Sequence, residues 1–326
     1  MSWETIDWNA LERMRTAFLQ NTAGASDYWQ SESDLASYDA TFAQRIGWKW
    51  DYVLAELKRR GWSPPHADLL DWGCGSGIAS RAFLDHFGES SINALRLWDR
   101  SSRAASYATA RAKTKYPKLK IASGNGSPSA QTILLVSHVL TELTPDQTQS
   151  LADEAARAQC VLWVEPGTYE ASLTLIAVRE RLRSQFNIVA PCTHQERCGI
   201  LAPENERHWC HHFASPPPEV FTDANWARFA SVMGIDLRDL PLSFLVLDKR
   251  PAPALPPGAG RVIGHPRIYK GHALLLGCDA SGVSERQLSK RHFPEAFKAW
   301  RKGKADALCE WKCTGDAIQE IKPLPK

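Results

Sequence analysis

Apolar side chains recur at helical spacing in the first sixty residues of the chain. The spacing of three or four residues runs from Trp8 to Phe18 and returns from Phe42 to Leu57, before a Pro64-Pro65 pair. Residues three and four apart share one face of a helix, so this period predicts amphipathic helices. We therefore expect a helical N-terminal region over residues 1–62.

After Pro65, short apolar runs alternate with helical segments. This alternation is typical of a parallel sheet whose strands are connected by helices. The predicted strands cover residues 67–71, 94–99, 119–122, 133–137, 161–165, 186–190 and 243–248. A polar stretch rich in Pro, His and Cys, residues 191–218, separates the last two strands. The pattern predicts an α/β domain with a Rossmann-like sheet over residues 63–250 that carries this stretch as an insertion.

The C-terminal part of the chain has a different character. Residues 251–257 are rich in Pro and predict a stiff linker. Apolar runs at 261–268 and 273–278, followed by a basic helix near 292–304, predict a small β-containing unit over residues 258–326. Residues 251–326 hold thirteen Lys and Arg against seven Asp and Glu, a net charge of +6, whereas the preceding residues hold 26 against 29. A basic unit on a nearly neutral body indicates a polyanionic partner, and a merely solvated surface explains it equally well.

Composition and the first residues narrow the class of protein. Eight cysteines scattered over 326 residues are too few for a disulfide scaffold and favour a reducing compartment. No apolar run approaches the roughly 20 residues of a membrane span. The N-terminal segment mixes Glu4, Asp7 and Glu12 with its basic residues, unlike a targeting peptide. We expect a cytoplasmic protein that is a monomer and has no membrane partner.

The first predicted strand runs directly into a glycine-rich loop, DWGCGSG, and an apolar helix follows. Glycines at this point let the backbone turn sharply and approach a ligand at the helix N-terminus. A dinucleotide fingerprint requires Gly where this chain has Ile78, and the Gly-x-Gly-x-Gly form after an acid is the one that binds S-adenosylmethionine. Asp99 would accept the ribose hydroxyls and Asn125 would meet the adenine edge. The predicted cofactor-binding residues are Asp71, Gly73, Gly75, Gly77, Asp99 and Asn125.

Candidates for catalysis lie where the fourth and fifth strands end. The fourth strand is followed by SHVLTE, without the target-base motifs that base methyltransferases usually show. His138 and Glu142 from this segment, and Glu165 from the fifth strand, lie where ligands bind in such sheets. A His at a strand end is more often a structural hydrogen-bond partner, and Glu165 has the same ambiguity. No acid–base pair follows from the sequence.

Three cysteines, Cys192, Cys198 and Cys210, lie close together within the polar insertion. Clustered Cys and His outside a periodic segment are usually metal ligands, although ordinary buried thiols are the alternative. A fourth ligand must come from elsewhere in the chain. The candidates are Cys278, the histidines His194, His208, His211 and His212, and the pair Cys309 and Cys313. Four thiolates suit an iron–sulfur cluster and a zinc ion equally.

Six segments occur in a fixed order: DWGCGSG, LLVSHVLTEL, VLWVEPGT, APCTHQERC, HWCHHF and LSFLVLDKR. In this order they resemble the methyltransferase-like family of mitochondrial small-ribosomal-subunit assembly factors and its bacterial relatives. The resemblance extends from about residue 40 to the basic tail, and the EPGT and APCxH pieces are the distinctive ones. It implies a Rossmann-like class I methyltransferase fold, a 4Fe-4S cluster on four cysteines, and association with small-subunit ribosomal RNA.

Residue by residue, the resemblance implies that Cys192, Cys198, Cys210 and Cys278 are the cluster ligands. Eleven residues separate Cys198 from Cys210, a longer gap than is usual in the family, and a neighbouring His could take the third position. The resemblance implies an S-adenosylmethionine-dependent methyltransferase-like protein that acts on or with small-subunit ribosomal RNA, with a structural cluster. The alternatives are a non-catalytic RNA-binding scaffold and a zinc-dependent nucleic-acid-binding protein.

An RNA partner would be met by the basic unit. Basic side chains neutralise phosphates, and the rings of Tyr269, His272, His292, Phe293 and Trp300 would offer stacking surfaces for unpaired bases. The side chains expected at the phosphate backbone are Arg261, Arg267, Lys270, Arg286, Lys290, Arg291, Arg301, Lys302 and Lys304.

Overall fold

Helices and strands alternate along most of the chain in the computed structural model, which describes residues 3–20 and 27–324. The α-helices are α1 (Trp8–Leu19), α2 (Glu32–Ala40), α3 (Phe42–Arg59), α4 (Ile78–Phe87), α5 (Ser102–Lys115), α6 (Pro145–Ala155), α7 (Tyr169–Leu182), α8 (Ala224–Met233) and α9 (Pro294–Arg301). The strands are β1 (Asp68–Trp72), β2 (Leu95–Trp98), β3 (Ile121–Ser123), β4 (Thr132–Ser137), β5 (Cys160–Pro166), β6 (Asn187–Ala190), β7 (His212–Ala214), β8 (Leu240–Asp248), β9 (Ala259–Ile268), β10 (His272–Asp279), β11 (Gly282–Ser289), β12 (Leu308–Thr314) and β13 (Ala317–Pro323). None of the helices in these two ranges has the length and apolarity needed to cross a bilayer.

The central sheet has the strand order β3-β2-β1-β4-β5-β8-β6. The short strand β7 pairs with the beginning of β8. β8 runs antiparallel to both of its neighbours, and the other adjacent pairs on this path are parallel. Both faces are covered: Leu69 of β1 packs with residues of α3 and α4, whereas Leu70 packs with residues of α6 and α7. The predicted α/β class with a Rossmann-like sheet is confirmed, and all seven predicted sheet strands lie within a few residues of their predicted positions.

The N-terminal helices pack beside the sheet. Asp7 accepts a hydrogen bond from the Ala10 N–H and caps α1, and Ser31 caps α2 in the same way. Leu11 and Met14 are fully buried with Phe229 of α8. This packing places Tyr28 and Trp29, which precede α2, next to the carboxyl edge of the sheet. Residues 21–26, which belong to the predicted N-terminal region, lie outside the described residues.

The C-terminal strands close into a barrel with the order β10-β11-β13-β12-β9. The first three strands form an antiparallel meander, β11 pairs in parallel with β13, and α9 stands between β11 and β12. This connectivity is that of the OB-fold. Trp311 fills the interior because Gly260 and Gly277 leave room for its ring. A Cβ at Gly260 would lie 2.2 Å from it.

A buried ionic cluster joins the barrel to the sheet. Arg261 of β9 is 2% exposed, forms an ion pair with Glu56 of α3 and donates to the Pro191 carbonyl at 2.9 Å. Arg60 pairs with the same carboxylate at 2.8 Å and donates to the carbonyl of Val189. The expectation that Arg261 contacts RNA phosphates is therefore wrong, because this guanidinium is buried and already forms its ion pair within the protein.

Candidate functional site

The glycine loop joins β1 to α4 in a conformation that glycine alone adopts readily. Gly73, Gly75 and Gly77 have φ angles of 66°, 51° and 78°. A Cβ at Gly73 would lie 2.8 Å from Val139, and one at Gly77 would lie 3.0 Å from Ala108. At Gly75 nothing lies within 4 Å of the added atom, so this backbone is open to a ligand.

Two carboxylates flank the loop. Asp71 is fully buried and accepts from the Ser80 N–H at 3.1 Å, and burial raises its pKa to about 6. No described residue donates to its other oxygen, Oδ1. Asp99, after β2, accepts from the N–H groups of Gly75 and Ser101, each at 2.9 Å, and burial raises its pKa. Each carboxylate oxygen has two lone pairs, so Asp99 retains capacity for further donors.

A cavity of about 380 Å³ opens in front of the loop, within the size range of small-molecule sites. Gly73, Gly75 and Asp99 line it, as do Trp72 and Trp98, whose rings lie 4.6 Å apart. It stands at the carboxyl ends of the strands, next to the point between β1 and β4 where the strand order reverses, which is where ligands bind in such sheets. Part of its remaining wall comes from the N-terminal helical region. These residues are Tyr28, Trp29, Tyr38 and Ile46.

Asn125 does not line this cavity. It is exposed in the loop after β3, and its neighbour Gly126 packs against the rings of Trp72 and Trp98 instead. A Cβ at Gly126 would lie 2.9 Å from each ring. The structure therefore brings Asp99 and the glycines together but leaves Asn125 apart from them.

His138 lines the cavity in an unusual backbone conformation. Its φ is 57°, in the left-handed region that favours glycine, and its N–H donates to the Val164 carbonyl at 2.9 Å. Its Nε2 lies 3.5 Å from Nζ of Lys49. Burial lowers the pKa of Lys49 to about 7 and, with the Lys49 charge, lowers the pKa of His138 well below its usual value. A non-glycine residue held at positive φ is a frequent feature of functional sites.

Glu142 also lines the cavity and is held by two partners. Tyr28 donates its hydroxyl to Oε1 at 3.2 Å, and Arg100 lies 3.5 Å from Oε2. Burial raises the pKa of Glu142 to about 7 and that of Tyr28 well above its usual value. Ser101 also donates to the carboxylate of Asp27 at 2.7 Å. Asp27 and Tyr28, which precede α2, are thus fastened beside the cavity.

Glu165 is fully buried and lies behind the cavity wall. Its Oε1 accepts from the indole N–H of Trp163 at 2.7 Å and from the Val139 N–H at 3.1 Å, and the Leu140 N–H donates to both oxygens at 3.3 Å. Burial raises its pKa to about 7. These contacts make Glu165 the residue that orients the loop carrying His138 and Glu142.

The four cysteines Cys192, Cys198, Cys210 and Cys278 come together where the insertion meets β10. Cys192, Cys198 and Cys210 line one small cavity, and Cys278 belongs to the same apolar cluster as Cys198. Burial raises the pKa of Cys198 to about 11, with a further contribution from the nearby Cys192. Arg179 of α7 donates from Nε to Sγ of Cys192 at 3.3 Å.

Other candidate ligands lie in different positions. Cys309 is buried in the barrel core, and Cys313 packs against that core. His211 stacks on Trp209, and His208 lies beside Arg207. His194 and His212 remain close, with Nε2 atoms 3.6 Å from Cys278 and Cys210 respectively. Over residues 3–20 and 27–324, no three His, Cys, Asp or Glu side chains are arranged to hold one metal ion.

Several residues of these sites are not predicted by the sequence. Tyr28 and Lys49 lie on the N-terminal helical region, and neither carries a motif. Trp72 and Trp98 stand beside the residues that were predicted, at the ends of their strands. A signal is present for them in the sequence, because an indole directly before the glycine loop, or directly before the predicted ribose-binding acid, lies at the carboxyl edge of the sheet.

Two solved structures that resemble parts of this chain are described as methyltransferases. A candidate RNA methyltransferase from Pyrococcus horikoshii is 11% identical over 62% of this chain and 84% of its own, with a TM-score of 0.39. The magnesium protoporphyrin IX methyltransferase of Synechocystis PCC 6803, solved with S-adenosylmethionine, is 12% identical over 74% of this chain and 98% of its own, with a TM-score of 0.39. Both scores are below 0.5, so these matches say no more than that parts of the chain resemble these enzymes.

No curated protein matches the sequence significantly. In contrast, the family model described as mitochondrial small ribosomal subunit Rsm22 matches residues 49–308. The match includes the sheet, the glycine loop, the Cys-rich insertion and most of the barrel. The chain therefore belongs to the family described as mitochondrial small ribosomal subunit Rsm22.

Proposed function

We propose that this protein is an S-adenosylmethionine-dependent methyltransferase-like protein that acts on or with small-subunit ribosomal RNA and carries a structural 4Fe-4S cluster. The observation that carries the proposal is the cavity at the carboxyl edge of the sheet, lined by Gly73, Gly75 and Asp99. Membership of the Rsm22 family supports the ribosomal partner.

The residues around the cavity fit this cofactor. Gly75 leaves open backbone, Asp99 has capacity for ribose hydroxyls, and Trp72 and Trp98 offer apolar ring surface. When bound, S-adenosylmethionine supplies an activated methyl group. The protein's part is then to orient the acceptor and exclude water, for which the wall from Tyr28 to Tyr38 is suited.

Calorimetry with S-adenosylmethionine tests the cofactor proposal. Asp99→Ala should weaken binding by about 1.5–3 kcal/mol, because charge-assisted hydrogen bonds are lost. Asp236→Ala is the matched control, since that exposed carboxylate lies outside the cavity and its change should leave affinity as it was. Absence of binding by the parent protein would reject the proposal.

The cluster proposal rests on the donor set. Cys192, Cys198, Cys210 and Cys278 are all free, and they come from two parts of the chain that meet at one place. A single zinc ion holds thiolates at about 2.3 Å, whereas a four-iron cluster is larger and suits sulfurs that stand farther apart. The cluster would fasten the insertion to the barrel, which is a structural role.

The absorbance spectrum of anaerobically purified protein separates the two metals. An iron–sulfur cluster gives a broad visible band, and we expect four iron atoms per chain. A colourless protein containing one zinc ion would support the zinc-dependent alternative instead.

A non-catalytic RNA scaffold is the second candidate function. The observation that favours it is the basic exposed surface of the barrel, which includes Lys290, Arg291, Arg301 and Lys302. If four or five phosphates are contacted, log affinity should fall with log salt at a slope of roughly −3 to −4. Changing these four residues to Gln should weaken RNA binding and flatten that slope.

A matched variant controls for net charge. Lys113, Lys118, Lys120 and Arg157 are exposed on the sheet domain, and their change to Gln removes the same number of charges. This control should bind small-subunit RNA like the parent. If the barrel variant also binds like the parent, with an unchanged slope, the basic barrel is a solvated surface and the scaffold proposal loses its main support. We further propose that the protein is cytoplasmic, which its eight free cysteines support, and that it is a monomer.

A further inference from the structure

The outer face of the barrel strands β9, β10 and β11 is divided into a covered end and an open end. Along β10, Leu274 lies opposite Gln287 and Cys278 lies opposite Val283 of β11. Successive side chains of a strand point to opposite faces, so Leu274, Leu276 and Cys278 share the outer face. The corresponding strands of an OB-fold form its usual ligand-binding surface.

The Cys-rich insertion covers the end of this face near Cys278. Cys278 and Val283 pack with Cys198 and Ile200 in one apolar cluster. The amide of Asn205 donates to the Val283 carbonyl at 2.9 Å. A Cβ at Gly199 would lie 2.5 Å from the Val283 nitrogen, so the two backbones are in close contact. This half of the face is closed to a ligand.

The opposite end, at the loop from β9 to β10, is open. Tyr269 is 46% exposed and stacks on His272, with ring centroids 4.8 Å apart and planes 13° from parallel. Tyr269 N–H donates to the His272 carbonyl, and Lys290 N–H donates to the Gly271 carbonyl, each at 2.9 Å. The ring pair is therefore held on a fixed loop.

Three other rings of the barrel are not available in the same way. Trp300 and Phe297 are buried in the barrel core, and Phe293 packs against it. Of the rings that sequence pattern alone suggested for stacking in this unit, the structure makes the Tyr269–His272 pair the one built as an exposed stack.

The charge around the open end is positive. Arg267, Lys270, Lys290 and Arg291 are exposed there. Arg207 of the insertion reaches the same area and lies 3.7 Å from Glu285, which also pairs with Arg267. Five basic side chains thus gather around Glu285 at this end, which favours an anionic polymer over a neutral sugar, the other usual ligand of OB-folds.

We propose that this open end binds single-stranded RNA, with one unpaired base stacked on the Tyr269–His272 pair and adjacent phosphates at Lys270 and Lys290. The inference rests on the proposed RNA-related function and specifies the form of RNA. A base in a duplex is already stacked on its neighbours and offers no free face, so the platform selects unpaired nucleotides.

Fluorescence anisotropy with the full-length protein tests this selection. The probes are a labelled twelve-nucleotide RNA of mixed sequence and the same strand annealed to its complement. Tyr269→Ala should weaken single-strand binding by about 5- to 150-fold and leave duplex binding unchanged. Tyr269→Phe keeps a ring and should bind like the parent. Phe221→Ala removes a 57% exposed ring from the sheet domain and should change neither affinity.

The outcomes separate this inference from the proposed function. If Tyr269→Ala binds single strands like the parent while the four-residue Gln variant of the barrel loses RNA binding, the stacking platform is wrong and the RNA role stands. Equal losses for both probes also overturn the platform. If the parent binds neither probe, both proposals fail. Thermal melting that shows a folded Tyr269→Ala variant accompanies each measurement.

Discussion

The proposed cofactor cavity and the cysteine junction are built in opposite ways. The cavity is formed largely by loops that directly follow β1, β2 and β4, so the sheet itself brings its residues together. The junction is assembled from α3, the 191–218 insertion and β9 to β11, which meet only when the barrel is in place.

This difference predicts that the two regions can be damaged separately. A cavity made by strand ends keeps its shape whenever the sheet is folded. A junction made by distant segments depends on the few contacts that fasten them, chiefly the cysteine group and the Glu56–Arg261 pair. Changes in one region should therefore leave the ligand of the other in place.

The largest expected effect belongs to the cysteine group. Cys278→Ser should abolish the visible absorbance and iron content and make the barrel more sensitive to proteolysis, while S-adenosylmethionine binding by calorimetry stays intact. Cys309→Ser is the control, because Cys309 is buried in the barrel core away from the group. Iron retained by Cys278→Ser but lost by Cys309→Ser would contradict the ligand assignment.

Next is the buried carboxylate at the junction. Glu56→Gln should lower the free energy of unfolding by about 3–5 kcal/mol, because Arg60 and Arg261 stay buried without their counter-charge. Urea denaturation measures the change. Asp306→Asn breaks the more exposed pair with Arg59 and should cost less than about 1 kcal/mol. Equal costs for the two variants would mean that the buried pair does not hold the junction.

A pH effect is expected on the cavity side. Burial raises the pKa of Glu165 to about 7, so between its unfolded pKa, about 4.5, and pH 7 the unfolded chain releases this proton first. Stability falls with rising pH in that window and then levels off. Glu165→Gln should remove up to about 3 kcal/mol of that fall. Chemical denaturation from pH 4.5 to 8 tests this, and a variant with the parent's slope would show that Glu165 is not the group responsible.

The smallest effect concerns the wall in front of the cavity. Tyr28→Phe removes the hydroxyl that donates to Glu142 and should weaken cofactor binding by about 2- to 10-fold. Tyr169→Phe removes a hydroxyl that donates to the Glu206 carbonyl outside the cavity and should leave the affinity unchanged. A Tyr28→Phe protein with the parent's affinity would mean that the hydroxyl of Tyr28 does not contribute to cofactor binding and that the sheet alone forms the binding site.

The same contrast explains what the sequence could predict. The sequence predicts the loop from Asp71 to Gly77 because strand, glycines and helix are consecutive in the chain. It predicts Asp99 because this residue ends the next strand. The sequence does not predict where Tyr28 and Lys49 lie, because their position depends on how the N-terminal helices pack against the sheet. The role of Asn125 and the identity of the metal ligands stay predictions.

Long-range pairing also limited the description of the barrel. Its first two strands and α9 were predicted from local pattern, whereas closure depends on β12 pairing with β9 across intervening elements. The residues of β11 are mostly polar, so this strand shows little of the apolar–polar alternation that predicts a strand. The sequence alone places Arg261 on the surface. In the structure it is buried and forms an ion pair with a carboxylate of α3.

The position of β8 has a consequence for how the chain folds during synthesis. β8 pairs with both β5 and β6, although the insertion and α8 precede it in the chain. Until residue 248 has left the translating ribosome, the apolar edge of β5 has no strand to pair with and is exposed to wrong partners. The first barrel strand begins shortly after that residue. The barrel, however, closes only when β12 and β13 have been made, so the junction between the two domains forms after the sheet is complete.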